Sequence, residues 1–186
     1  MEQRNKQPRH LVIGIDPGFR GAVAITDGKT IHDILDMPLN APRVLAPEAR
    51  QTIDAEALAR YLSIWAPKCT LAVIEGVHAM PGQGESSTFR FGEGYGMLQG
   101  IMATHVAASN IRVILPRPSV WKMQMGVTAD KGSSLRLARK LFPEFETKYF
   151  SRIKDDGRAE ALLLALFGRR SLSIPSTGGD RLNDIL

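Results

Sequence analysis

The sequence has one cysteine among its 186 residues, few aromatic residues and no long apolar run. Cys69 alone cannot form an internal disulfide, and no Cys/His spacing fits a zinc site, which predicts a reduced, cytoplasmic setting. No apolar stretch reaches the roughly 18–20 residues that a membrane-spanning helix needs. The polar start, MEQRNKQPRH, does not resemble a signal peptide. We therefore expect no membrane partner.

The composition is that of an ordinary globular domain, with 44% apolar and 23% charged residues. The net charge of +5 is unevenly distributed along the chain. From Asn110 to the end there are 14 Lys and Arg residues against 8 Asp and Glu, whereas the preceding part has 10 against 11. A basic C-terminal half suits a polyanion such as nucleic acid. Solvated helix faces are the alternative explanation of the same asymmetry.

Hydrophobic periodicity and turn residues predict a single α/β domain with a central mixed five-stranded sheet flanked by helices. We expect a flexible arm over residues 1–9, the domain over 10–170 and a tail over 171–186. The predicted strands are His10–Asp16, Gly21–Thr26, Lys29–Met37, Leu71–Glu75 and Ile111–Leu115. One predicted helix begins near Thr52–Asp54. Three others cover Ser86–Ser109, Lys131–Leu141 and Gly157–Arg169.

Acidic residues stand at the ends of apolar elements. Asp16 ends the first strand and Glu75 ends the fourth, where a charge is costly unless it is paired or binds a cation. Asp155, Asp156 and Glu160 open a very apolar helix. Helix capping explains one of these two aspartates, but it does not explain Glu160. Asp156 and Glu160 share a helix face, whereas Asp155 reaches the same centre only from the cap position.

Four acids around one crevice would form an all-oxygen site for hard cations. Mg²⁺ fits such a site, with Mn²⁺ as a substitute, because it takes a few carboxylates and keeps waters and phosphate oxygens. Such a site is suited to the in-line displacement of a phosphodiester. Capping or turn stabilisation by each acid separately is the alternative.

These acidic segments also carry a resemblance to a known family. Ile13–Gly18 resembles the first-strand motif of the RuvC-type Holliday junction resolvases, which belong to the RNase H-like superfamily. Ala72–Glu75 resembles their second acidic strand, and Asp155–Leu162 resembles their final catalytic helix. Similarity to the branch that contains the plant chloroplast resolvases lies in Phe91–Gly96, Val113–Lys122 and Lys154–Ala161.

The resemblance implies an RNase H-like fold and a Mg²⁺-dependent endonuclease that resolves four-way DNA junctions by paired symmetric nicks. Asp16, Glu75 and Glu160 match three catalytic acids of the family. The chloroplast branch has a histidine at the position of Asp156, which favours Asp155 as the fourth ligand, whereas helix geometry favours Asp156. We take Asp155 as the prediction and Asp156 as the alternative.

The resemblance also implies partners and a location. The expected partners are a four-way junction, a second copy of the chain and a branch-migration helicase. The expected location is the cytoplasm, in association with the nucleoid, or the host-cell cytoplasm if the protein is encoded by a phage. The products are expected to carry ligatable 5′-phosphate ends.

Predicted DNA contacts fall in two groups. Lys122 and Lys131 match family lysines near the scissile phosphate, and solvated surface lysines are the alternative. Arg90, Phe91 and Tyr95 lie in the glycine-rich stretch 82–100, which as a flexible loop would bring aromatic rings to unpaired bases. A subunit contact or an ordinary core position is the alternative for these side chains.

Three rival functions follow from the same residues. An RNase H-like nuclease that cuts RNA–DNA hybrids or flaps would use the same acids. An actin-like phosphotransferase shares the first motif, but it needs a second domain and a second phosphate loop. A non-catalytic junction-binding protein is disfavoured by the complete set of acids.

Overall fold

The computed structural model describes residues 10–40, 52–78, 82 and 84–173. Its strands are β1 (Leu11–Ile15), β2 (Ala22–Thr26), β3 (Ile31–Asp36), β4 (Cys69–Ile74) and β5 (Arg112–Ile114). Its helices are α1 (Ala55–Trp65), α2 (Glu85–Ser109), α3 (Pro118–Met125), α4 (Ser133–Leu141), α5 (Glu146–Tyr149) and α6 (Asp156–Ser173). The predicted arm 1–9 and most of the predicted tail, 174–186, lie outside the described residues.

The strands form one mixed five-stranded sheet in the order β3-β2-β1-β4-β5. The first three strands are antiparallel neighbours, because β1 and β2 are joined by a tight turn and β2 and β3 form a hairpin at Asp27–Gly28. β1, β4 and β5 are parallel. This confirms the predicted α/β architecture.

Alternation along the strands gives the sheet two covered faces. Ile13 and Ile15 of β1 point into a core with α1 and α2, together with Leu58 and Leu98. Val12, one position away, points to the opposite face, which α3 and α6 cover. All five side chains are buried. The result is a three-layer α/β/α domain.

Helix α6 lies directly against the middle of the sheet because a glycine permits its close approach. A Cβ atom at Gly14 would lie 2.0 Å from the Ala161 carbonyl oxygen and 2.5 Å from the Ala165 backbone nitrogen. The apolar run that follows Glu160 is buried in this contact. The packing therefore fixes the position of the acidic first turns of α6 relative to β1.

Several predicted elements need correction. The helix predicted over Ser86–Ser109 is confirmed as α2, which begins at Glu85 and buries Leu98 and Met102. The flexible loop that the DNA-binding role assumed over 82–100 is therefore wrong from Glu85 onward. The short helices α3 and α5 were not predicted. The helix predicted from Lys131 begins at Ser133, and α6 runs past Arg169 to Ser173.

Helices of the described ranges are all too short or too polar to cross a membrane.

Candidate active site

The parallel pairing of β1 and β4 brings two predicted acids to one edge of the sheet. Asp16 follows the last residue of β1, and Glu75 follows the last residue of β4. The backbone N–H of Glu75 donates to the Ile15 carbonyl at 3.1 Å, so the ladder continues up to the acids. Neighbouring parallel strands end on the same side, which is where ligands bind in α/β sheets.

Glu160 reaches this edge from α6. The helix begins beside the turn that follows β1, because Gly157 packs against it: a Cβ there would lie 2.1 Å from the Arg20 carbonyl oxygen. Glu160 stands one turn further along, next to the buried Ala159 and Ala161. Asp16, Glu75 and Glu160 therefore approach one edge of the sheet from three separate elements.

The three carboxylates influence one another electrostatically. Burial first, and then the charges of Glu160 and Glu75, raise the pKa of Asp16 to about 7, although a hydrogen bond from the Gly18 backbone N–H partly offsets them. Burial also raises the pKa of Glu75, and the charge of Glu160 adds to this effect. Lys122 lowers the pKa of both groups. Such a cluster of acids favours a bound cation.

Three side chains hold the carboxylates of Glu75 and Glu160. The Trp121 indole N–H donates to Glu75 Oε1 at 3.0 Å. The Lys122 ammonium donates to Glu160 Oε1 at 3.0 Å, and Ser134 Oγ donates to the same oxygen at 3.1 Å. Two neighbouring residues of α3 thus donate hydrogen bonds to two different acids.

The two aspartates before Glu160 have different surroundings. Asp155 is buried, and its carboxylate accepts from the Arg152 side chain at 2.6 and 2.9 Å and from the Arg152 backbone at 2.8 Å. Burial would raise the pKa of Asp155, but the hydrogen bonds from Arg152 and the charge of Arg158 outweigh it and lower the pKa. Asp156 has a buried Oδ1 with no hydrogen-bond donor.

The structure places Asp156, the alternative fourth acid, in the cleft that Glu160 lines, and it places Asp155 outside that cleft. Asp156 and Glu160 line the same cleft, of about 270 Å³, while the oxygens of Asp155 are occupied by Arg152. Helix α6 begins at Asp156, which leaves Asp155 in the preceding turn, paired within that turn. The polar residues that line the cleft are Lys122, Thr128, Asp130, Lys131, Ser133, Ser134, Asp156 and Glu160.

The predicted DNA-contact residues of the glycine-rich stretch all lie on α2. Arg90 places its guanidinium 5.9 Å from the centre of the Phe19 ring, in the turn after Asp16. The rings of Phe91 and Tyr95 stack at 6.3 Å. Burial raises the pKa of Tyr95, and the charge of Glu75 contributes, so its hydroxyl lies near the acids. None of the three is fully buried.

The chemistry of this donor set fits a hard cation, because it consists of carboxylate oxygens. In the described part of the chain, no three His, Cys, Asp or Glu side chains are grouped as a ready-made metal site. Glu75 and Glu160 are instead held by Trp121, Lys122 and Ser134. The carboxylate oxygens, the raised pKa of Asp16 and the unpartnered Asp156 oxygen are the features that suit Mg²⁺.

Two of the contacting residues were missed by sequence reasoning as parts of the site. Trp121 entered the sequence analysis only as part of the segment Val113–Lys122, and Ser134 was not considered. Their partners are 46 and 26 residues away along the chain, so no local pattern connects them.

The fold is shared with solved structures of junction resolvases. The chain is similar to Thermus thermophilus RuvC in complex with a Holliday junction substrate, with a TM-score of 0.54 and 14% identity over 88% of this chain and 96% of that one. A second Thermus thermophilus RuvC structure gives the same values. The yeast mitochondrial Holliday junction resolvase Ydc2 matches with a TM-score of 0.53 and 14% identity, over 91% of this chain and 83% of that one.

These likenesses establish the RNase H-like fold. No protein-family model and no curated protein matches the sequence. The relation to the chloroplast branch stays a prediction.

Proposed function

We propose that this protein is a Mg²⁺-dependent endonuclease that resolves four-way DNA junctions by paired nicks. The observation that carries the proposal is the meeting of Asp16, Glu75 and Glu160 at one sheet edge, beside a cleft with two lysines. The same fold occurs in RuvC bound to a Holliday junction substrate, which supports a junction as the substrate.

Asp16, Glu75, Asp156 and Glu160 would hold the cation, with Asp155 as the less favoured fourth ligand. A bound divalent cation would lower the pKa of an attacking water and offset charge on the leaving 3′-oxygen. The raised pKa of Asp16 to about 7 suits this role, since the carboxylate gains most from a positive partner. Mn²⁺ would substitute for Mg²⁺ at the same oxygens.

The lysines of the cleft would act on the phosphate. Lys122 lies within 3.0 Å of Glu160 and lines the cleft together with the exposed Lys131. Cations at this rim would bind the phosphate beside the cut and offset charge that develops during displacement. Arg90, Phe91 and Tyr95 stand on the other side of Glu75 and would contact the strand near the crossover.

Two symmetric cuts need two active sites, so we propose that the protein acts as a homodimer. The outward face of α2 is suited to the contact. Gly92, Gly96 and Gly100 recur at every fourth residue, and a Cβ built on any of them meets no atom within 4 Å. Phe89, one turn before them, is 74% exposed. A second helix would approach this face closely.

The proposal is tested by initial cleavage rates on three labelled substrates: a mobile four-way junction, a duplex of the same sequence and an RNA–DNA hybrid. Each is incubated with Mg²⁺, with Mn²⁺ or with EDTA. Paired nicks in the junction, absent with EDTA and at least about 100-fold slower in the duplex, are expected. Preferential cutting of the hybrid would show that the substrate is an RNA–DNA hybrid and not a junction. Junction binding without cutting would indicate a non-catalytic protein.

A further inference from the structure

Helix α3 provides two adjacent donors to two different acids. The Trp121 indole N–H bonds Glu75 at 3.0 Å, while the next residue, Lys122, bonds Glu160. The two acids come from β4 and α6, so α3 connects the two elements that carry them. The proposed role of Lys122 is its contact with phosphate. Trp121 is fully buried, so no surface is left for a direct contact with DNA, and its indole N–H bonds Glu75.

The indole ring is held rigidly. It belongs to a buried apolar cluster with Val73 of β4, Leu164 of α6 and Met125 of its own helix. Because close packing prevents the ring from rotating, the direction of its N–H is fixed. The bond to Glu75 is itself buried, which makes it stronger than an exposed one.

An indole N–H has chemical properties that suit the orientation of a carboxylate ligand. It donates one hydrogen bond, accepts none and carries no charge. By holding Oε1 it fixes the rotation of the Glu75 carboxylate and leaves Oε2 available to a cation. Unlike the Lys122 ammonium, it does not compete with a cation for the negative charge. Donors of this kind change cation affinity by about 10–100-fold when they are removed.

We propose that Trp121 is a positioning residue that orients Glu75 for divalent cation binding. The inference rests on the proposed function, because it requires Glu75 to be a cation ligand. Trp121→Phe keeps an aromatic ring in the apolar cluster but removes the donor. The cation affinity is then expected to fall about tenfold, while the affinity for the junction is unchanged.

The test is a calorimetric titration of EDTA-treated, dialysed protein with Mn²⁺. Wild type, Trp121→Phe and Glu75→Gln are compared, with Trp65→Phe as the matched control on α1. Trp121→Phe is expected to weaken Mn²⁺ binding about tenfold, Glu75→Gln to weaken it more, and Trp65→Phe to have no effect. In cleavage assays, Trp121→Phe should raise the half-saturating Mg²⁺ concentration and recover most of its rate at saturation. A purely structural role would lower stability without this shift.

A second measurement needs no change at Trp121. The chain has two tryptophans, so Trp65→Phe leaves Trp121 as the sole tryptophan emitter. Its emission is expected to change as Mg²⁺ is added and to saturate at the concentration found for binding, because the hydrogen-bonded carboxylate gains a cation. The added change Glu75→Gln should abolish this response.

The outcomes separate the two proposals. If Glu75→Gln weakens Mn²⁺ binding but Trp121→Phe does not, the positioning role is overturned and the proposed function stands. Trp121 emission that does not change when a cation binds at Glu75 would also overturn the positioning role. If wild type and Glu75→Gln bind Mn²⁺ equally, Glu75 is not a ligand, and the proposed active site itself is wrong.

Discussion

Asp16 carries the highest electrostatic cost in the candidate site. Its pKa is raised to about 7, first by burial and then by Glu160 and Glu75, from an ordinary value of 3.8. In EDTA, the folded protein therefore keeps a proton between about pH 4 and 7 that the unfolded chain has already lost. The folded state binds more protons in this window, so the free energy of unfolding decreases as pH rises through it.

Asp16→Asn removes this cost. The variant is expected to be more stable than wild type at pH 8 in EDTA, by on the order of 2–4 kcal/mol, since each pKa unit corresponds to about 1.4 kcal/mol. At pH 4 the difference should nearly vanish, because Asp16 is then protonated in the folded protein. Urea denaturation at the two pH values measures both quantities. Equal stabilities at pH 8 would show that Asp16 is not under electrostatic strain.

Asp155 and Asp156 are neighbours with different expected roles. Asp155→Asn weakens the bonds from Arg152, so we expect a loss of stability of about 1–3 kcal/mol and nearly normal cleavage by the folded fraction. Asp156→Asn should leave stability within about 0.5 kcal/mol and slow cleavage at least tenfold. Thermal unfolding and single-turnover cleavage distinguish them. The reverse pattern would restore Asp155 as the fourth ligand.

At the scale of elements, the position of α6 against β1 determines whether the acids meet. Gly14→Ala would place a methyl group 2.0 Å from the Ala161 carbonyl oxygen, so α6 must shift. We expect a loss of stability of about 1–3 kcal/mol or more, with slower cleavage because Glu160 moves with the helix. Urea denaturation and cleavage rates measure the two effects.

Gly92→Ala is the matched control for this helix-packing prediction. The added methyl meets no atom of its own chain within 4 Å, and replacing a helical glycine should raise the stability of the monomer, measured at protein concentrations too low for dimers, by about 0.5–1 kcal/mol. The free energy of unfolding is therefore expected to fall in Gly14→Ala and to rise in Gly92→Ala. A neutral Gly14→Ala would mean that α6 does not need this close approach.

The strands and the acids at their ends were predictable because apolar runs that stop at an acid are local patterns. Helix α3 was missed because only eight residues form it, although Pro118 at its first turn and Gly126 after its end were usable signals. The choice between Asp155 and Asp156 depends on where α6 begins, and a difference of one residue decides it. The Trp121–Glu75 bond has no local signal, since the fold alone brings the two together.

At the scale of the whole molecule, the exposed glycine face of α2 predicts how two copies meet. Gly96→Leu adds a bulky side chain where a second helix would lie, without meeting an atom of its own chain. Sedimentation equilibrium is expected to show a dimeric wild type and a variant whose dissociation constant is raised at least tenfold. Its junction nicks should become unpaired. A variant that stays dimeric would move the interface elsewhere.

The most direct test of the central claim is single-turnover cleavage of a labelled four-way junction in Mg²⁺ at pH 8. Wild type is compared with Asp16→Asn, Glu75→Gln and Glu160→Gln, and junction binding is measured for each in parallel. Wild type is expected to make symmetric nicks with ligatable ends, and every variant is expected to cut at least about 1,000-fold more slowly while still binding the junction. Normal cleavage by any of the three, or a wild type that binds without cutting, would contradict the central claim.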